Sequence, residues 1–445
     1  MGMDYENSST KKLFIKQLIP NILGMAFSAL FIIVDGIFVG RGIGSDALAA
    51  INIAAPIFAI MTGVGLMFGL GAAILATVAL SRNKQRYANI IITQSTFVAT
   101  FIMLIYSIVA VIMPEQIVLL FGSPADLVKE ASEYLSVMSL FSIFLTALVL
   151  LPYFVRIISP NYALFCLSTA TVINLVLDYL FIIQLKWGLF GAALATGIGE
   201  LSGVVLLLVY LIRNKKGLRL TSILITLRSM RFAWKGARRV AYLGFPVLLS
   251  ELTISVMAIA GNYTFGHYIG VDGIAAFSIV NYMFPVIYMV YNAIAQSGQP
   301  IISYNYGKRR RRRCCSAFRL SLITALAIGA LFMLLAIVFR VELVSLFIPD
   351  RTDAAWQIAV DGVPYFSLEF IPFGINVLYI GYYMSIKQGS RALIYTSIRG
   401  VLPVFCFALL PLFWGIPGVW LAEPMGEIIS AAIILLTMKK LEFKS

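Results

Sequence analysis

Two stretches of this chain, residues 47–81 and 273–307, contain no charged residue at all. A helix that crosses a bilayer needs about 20 consecutive apolar residues, and few other structures use runs of that length. Twelve segments qualify: 14–40, 48–80, 87–113, 133–155, 161–185, 188–212, 241–266, 274–306, 316–339, 360–386, 391–413 and 416–438. Of the 445 residues, 60% are hydrophobic and 12% are charged. A soluble domain carries about 25% charged residues. A mean hydropathy of +0.93 cannot belong to a surface in water. These figures exclude a soluble enzyme, a disordered chain and a disulfide scaffold. They predict an all-α polytopic membrane protein with twelve transmembrane helices.

Other chemistries are thinly represented. His267 is the single histidine, which argues against a histidine metal centre. Four cysteines give no disulfide framework, and no G-x-x-x-x-G-K-[ST] phosphate loop occurs. The polar stretch 1–12 leads into an apolar segment of full span length, which reads as a helix that stays in the membrane rather than a cleaved leader.

The net charge of +14 needs a location. With the N-terminus placed in the cytoplasm, 28 of the 34 Lys and Arg fall in or beside inner loops and five fall outside, leaving Arg399 inside a span. The positive-inside rule then puts both termini in the cytoplasm. The run KRRRRR at 308–313 follows the same bias. It reads as an orientation signal that also touches anionic lipid headgroups, not as a nucleic-acid site.

The chain repeats itself. At an offset of 226 residues, GRGIGSDALAAINI (40–53) meets GHYIGVDGIAAFSI (266–279) with seven of fourteen positions identical. At 227, WGLFGAALATGIGE (187–200) meets WGIPGVWLAEPMGE (414–427), again with seven. Roughly one or two matches would arise by chance in such a composition. The expected organisation is an N-lobe over 1–212, a basic cytoplasmic linker over 213–240 and a C-lobe over 241–445. The linker, with Phe232 and Trp234, can lie along the inner leaflet as a short amphipathic helix. Six helices per lobe give both lobes the same orientation, related by a pseudo-two-fold axis along the membrane normal. Two such lobes around a central cleft are the architecture of a secondary transporter, an inference by analogy.

Seven carboxylates lie inside the spans: Asp35, Asp178, Glu200, Glu251, Glu369, Glu423 and Glu427. Each costs at least about 2.5–3.5 kcal/mol at mid-bilayer, so each is expected to face a cavity or a partner. Glu200 and Glu427 are repeat mates and their roles, like that of Glu423, stay open. The 226–227 slide sets Asp35 against Gly261, Asn174 against Val401 and Asp178 against Phe405, so these polar groups belong to one lobe only. At 1.5 Å per residue, Asp35 and Asp178 each lie roughly 12 Å below their outer turns. Asn174 and Asp178 are four apart and share a helix face, as do Thr196 and Glu200. Asp35, Asn174, Asp178 and Thr196 are therefore expected to converge. Two carboxylates with an amide and a hydroxyl suit a hard cation such as Na⁺, with Asp35 and Asp178 as its charged ligands, or a proton shared between them.

In the C-lobe, Arg399 and Glu427 are close in depth and are expected to form a structural pair. Glu251 and Glu369, with aromatics that include Tyr282 and Tyr288, suit an organic cation. Pro56, Gly63, Gly65, Gly69, Gly71, Pro285, Pro300, Pro364 and Pro372 lie inside spans and allow kinks and close packing.

The segments IIVDGIFVGRGIGSDALAAINIAAP (32–56) and NLVLDYLFI (174–182), in twelve helices of two nearly ungapped halves, resemble the multidrug and toxic compound extrusion (MATE) family. The chain is most similar to its bacterial members of the MepA and DinF kind. The resemblance implies export of organic, often cationic, amphipathic compounds and other xenobiotics in exchange for H⁺ or Na⁺ by alternating access. It implies a coupling site at Asp35, Asn174, Asp178 and Thr196, an acidic helix 7 residue at Glu251 and, more loosely, one at Glu369. No cofactor beyond the coupling ion is expected, and a monomer is expected to do the work. The alternative is a flippase for lipid-linked oligosaccharides of the same superfamily. Such a protein would need a basic cavity for pyrophosphate, whereas this chain buries seven acids and one base. No nucleophile–base pair marks an enzyme.

Overall fold

The computed structural model describes residues 4–43, 45–120, 127–214, 217–222, 227–281, 284–348 and 350–438, and no strand occurs among them. Hydrocarbon offers no water to a backbone amide, so a spanning segment must satisfy its hydrogen bonds internally, and helices do so. In the first half these are α1 (Thr10–Gly42), α2 (Ser45–Ser81), α3 (Gln85–Ile112), α4 (Pro114–Leu120), α5 (Val128–Ile158), α6 (Pro160–Asp178) and α7 (Gly188–Arg213). A π-helical turn, Tyr179–Gln184, extends α6. Then come α8 (Leu227–Tyr268), α9 (Val271–Asn281), α10 (Phe284–Gly307), α11 (Arg311–Val338), α12 (Arg340–Ser345), α13 (Ala354–Ser367), α14 (Phe370–Ser385), α15 (Gly389–Trp414) and α16 (Ile416–Thr437). Among the described residues ten helical stretches are long and apolar enough to cross a membrane, and the pair α13–α14, bent by 45°, forms an eleventh. The remaining segment lies within α1, which is 33 residues long.

Two compact units emerge from the packing: Met1–Ser8 with Ile19–Leu248, and Ser9–Leu18 with Leu249–Ser445. In the N-terminal unit α2 carries the most deeply buried of the described spans. Its span is 83% buried, against 28% for α3 and for α6 with its π turn. The outer helices present Phe97, Phe101, Ile105, Phe165 and Val176 outward, as a lipid-facing surface requires.

The helices differ from the sequence expectation in two places. The second half of the basic linker is not a separate surface helix but the start of α8, fourteen residues before the expected span. Ala237, Val240 and Leu243 are buried at a spacing of three, while Trp234, Arg238 and Arg239 stay exposed. That period fits a helix packed on one side. The tenth span is broken at Leu368–Glu369, between Pro364 and Pro372.

The repeat is visible in the elements, and it corrects the sequence alignment at one helix. Gln85 and Arg311, Ile112 and Val338, and Pro114 and Arg340 begin or end matching helices at separations of 226. For α6 and α15 the separation is 229, because one residue joins α5 to α6 while three join α14 to α15. The turn before α16 is correspondingly shorter than the turn before α7. Asn174 therefore corresponds to Pro403 and Asp178 to Phe407, not to Val401 and Phe405. Contacts agree: Gly199 on α7 abuts Asn174, and Gly426 on α16 abuts Pro403. Val401 and Phe405 face outward, at 50% and 59% exposure.

Backbones come into contact where α2 meets α8. A Cβ on Gly244 would run into the carbonyl of Met67, and one on Gly71 into the carbonyl of Val240. Small residues allow such approach and gain dispersion that lipid does not supply. Gly244→Leu is expected to separate the two helices and to lower the detergent-solubilised protein's Tm by several degrees; an unchanged melting curve would show that this crossing is not essential to the unit.

Candidate functional site

The N-terminal cluster is built on the α6–α7 hairpin. Gly199 and Gly203 let α7 press against Asn174, Ala170 and the Cys166 carbonyl. That closeness brings Asn174 Nδ2 to within 3.4 Å of Thr196 Oγ1, to which it donates. Asp178, fully buried, is the last α-helical residue before the π turn. π turns widen a helix locally and are frequent at functional positions. Ile182 and Ile183 of this turn pack on Gly42, where a Cβ would overlap them. This contact fixes the outer end of α1 and sets Asp35 beside Asp178, near enough for their side chains to hydrogen-bond. The structure thus brings Asp35, Asn174, Asp178 and Thr196 together.

Their electrostatics are unbalanced. Asp35 Oδ1, both Asp178 oxygens, Asn174 Oδ1 and Glu200 Oε2 are buried without a hydrogen-bond donor. A buried acceptor left unpaired costs about 1–3 kcal/mol, and more when charged. Ionised carboxylates only accept, so Asp35 and Asp178 cannot satisfy each other. A proton or a hard monocation between them would do so, and the oxygen-only donor set fits either. Tyr134 of α5, 4% exposed, lies within electrostatic reach of Asp35, Asp178 and Glu200. No spacing in the sequence groups it with these acids. The available signal was its repeat mate, Val360, which makes the tyrosine specific to one half.

The C-terminal unit gathers its acids around one base. Arg399 Nε donates to Glu427 Oε1 at 2.7 Å, and Asn376 Nδ2 donates to Glu427 Oε2 at 2.6 Å. Arg399 Nη1 donates to Ser250 Oγ at 3.1 Å, and its guanidinium lies 4.4 Å from the Phe373 ring centroid. Tyr288 donates its hydroxyl to Glu251 Oε1. Arg399 is also within electrostatic reach of Glu251, Glu369 and Glu423. Glu369 stands at the break between α13 and α14, fully buried, and neither of its oxygens has a donor. Glu251, Glu369, Tyr288, Arg399 and Glu427 therefore share one region; Tyr282 lies outside the described residues. Asn376 and Ser250 complete the arrangement and were not singled out from sequence, since buried amides and hydroxyls are common in helices.

An all-helical membrane protein assembled from two like halves, each burying acids within its spans, is built as secondary transporters are. The MatE family model matches residues 20–180 and again 246–407, once per half, and the chain belongs to that family. It is 24% identical to the multidrug export protein MepA of Staphylococcus aureus, over 98% of this chain and 96% of that one. It is 23% identical to MepA of Staphylococcus saprophyticus, over 97% and 94%. Among solved structures it resembles an outward-facing multidrug resistance MATE family transporter of the MOP superfamily, with a TM-score of 0.90, 19% identity and 98% of each chain covered. It also resembles a MOP superfamily transporter from Pyrococcus furiosus, described by the reverse polarity of its binding pocket, with a TM-score of 0.88, 19% identity and coverage of 96% and 95%. The fold is that of the MATE transporters.

Removing one partner of a buried ion pair strands the other. Arg399→Leu is expected to destabilise the protein by about 3–5 kcal/mol, and Arg399→Leu with Glu427→Leu by much less. Thermal unfolding of both variants in detergent tests this; equal losses would show that the pair itself holds the unit together.

Proposed function

We propose that this protein is a secondary active multidrug exporter that expels organic, often cationic, amphipathic compounds in exchange for H⁺ or Na⁺ by alternating access. The observation that carries the proposal is the set of donorless buried oxygens on Asp35, Asp178 and Asn174, beside Thr196. Such a set is costly when empty and charged, and it is relieved by one small cation. Loading and unloading that cation changes the charge inside the N-terminal unit by one, which can bias a two-state protein toward one conformation. The names of the MepA relatives support the multidrug part of the reading. Glu251 with Tyr288, and Glu369, supply negative charge and an aromatic surface for a cationic substrate. The excess of acids over bases in the spans favours this over export of an anionic, pyrophosphate-linked lipid. The bacterial relatives support a bacterial inner membrane, and the charge bias of the loops supports cytoplasmic termini and contact with anionic lipids. We take the monomer as the working unit.

Dye efflux from cells or inverted vesicles, with the H⁺ and Na⁺ gradients collapsed separately, names the ion. Asp35→Asn and Asp178→Asn are each expected to abolish active efflux while the protein still reaches the membrane at normal levels. Wild-type efflux by both variants would sink the coupling site. Glu251→Gln is expected to reduce efflux of cationic dyes at least several-fold more than that of neutral ones; equal loss for both classes would remove its part in charge recognition.

A further inference from the structure

The two units treat one repeated glutamate in opposite ways. Glu200 on α7 and Glu427 on α16 each follow a glycine, Gly199 or Gly426, that touches the neighbouring helix. Glu427 has a donor on each oxygen: Arg399 on Oε1 and Asn376 on Oε2. Its counter-charge is covalently part of the chain. By the 229-residue register of α6 and α15, Arg399 takes the place of Ala170. Ala170 is 4% exposed and offers a methyl where its mate offers a guanidinium. Glu200 is 9% exposed, and its Oε2 has no donor. The bases between residues 19 and 212 are Arg41, Arg82, Lys84, Arg86, Lys129, Arg156 and Lys186, all in turns or at helix ends. None is placed in the body of a span to neutralise Glu200.

Glu200 also stands apart from the Asp35–Asp178 pair. Among the described residues no three such acids are grouped closely enough to share one ion. Yet the Tyr134 ring is in electrostatic reach of all three, so the two loci belong to one connected interior. A buried carboxylate with neither a fixed counter-charge nor a share in a neighbour's ion needs a cation of its own.

We propose that Glu200 binds a second exchangeable monovalent cation, a proton or Na⁺, doing reversibly in the N-terminal unit what Arg399 does permanently for Glu427. This rests on the reading of Asp35 and Asp178 as the first coupling site. It makes the N-terminal unit a two-ion device. The highest substrate gradient that an exchanger can hold rises with the ion gradient raised to the number of ions exchanged. At a tenfold ion gradient, losing one ion lowers that ceiling tenfold, the equivalent of about 1.4 kcal/mol.

The test uses the full chain in proteoliposomes with the membrane potential clamped at zero, and reads the steady-state gradient of a permanently cationic dye. One arm imposes a tenfold pH gradient without Na⁺, the other a tenfold Na⁺ gradient at equal pH. Glu200→Gln, close in shape to the native residue, is expected to lower the dye gradient about tenfold in the arm of the ion that Glu200 holds. Glu200→Asp, which keeps the charge, is expected to retain the native value. An unchanged gradient for Glu200→Gln in both arms overturns the proposal, and so does an equal loss in Glu200→Gln and Glu200→Asp, which marks a packing role. Asp178→Asn run alongside separates the two readings. Coupling lost there but intact in Glu200→Gln defeats only the second-ion assignment, whereas coupling intact in both defeats the first site as well.

Discussion

In hydrocarbon a polar atom has only the protein to bond with, and every notable feature of this chain follows from that constraint. The backbone meets it by being helical. The side chains meet it mostly by being apolar, and the helices then lack the hydrophobic drive that assembles soluble proteins. Close approach replaces that drive. Gly71 and Gly244 admit a neighbouring carbonyl, and Gly199 and Gly426 admit a neighbouring helix at Asn174 and Pro403. The glycines that let the helices touch also determine which polar groups come within bonding distance, so packing and chemistry are one problem here.

The two halves answer the constraint with one scaffold and two charge plans. The C-terminal unit surrounds Arg399 with Glu251, Glu369, Glu423 and Glu427 and ties Glu427 down at both oxygens. The N-terminal unit has acids, an amide, a hydroxyl and a phenol, and no base in the body of a span. Glu427, with a built-in cation and a donor on each oxygen, is stable as made. An interior without one is responsive, because its stability depends on what enters it.

Much of this was legible in the residues. Span count, helical class and the doubled architecture follow from charge-free runs and from one slide of the sequence, since lipid leaves little structural freedom. The grouping of Asp35, Asn174, Asp178 and Thr196 followed from depth and helical spacing. Less was legible where several helices meet. Tyr134 reaches the acids from α5, and Asn376 reaches Glu427 from α14, across sequence distances that no spacing rule covers. The linker misled for a simpler reason: its charges mark the cytoplasmic side, but Ala237, Val240 and Leu243 already carry the helical period of α8.

The unequal turns around α6 and α15 carry a wider consequence. Residues gained before α15 and given back after it leave both flanks aligned, so a duplicated chain keeps its overall frame. Within that one helix, a comparison that keeps the offset of the flanks is two residues out of register, about 200° around the helix. Such a comparison sets the inward Asn174 against the outward Val401, although Pro403 holds the equivalent place. A duplicated membrane protein can in this way change two loops and leave each helix face where it was, and the correspondence of its buried side chains is then invisible to any comparison that assumes a constant offset.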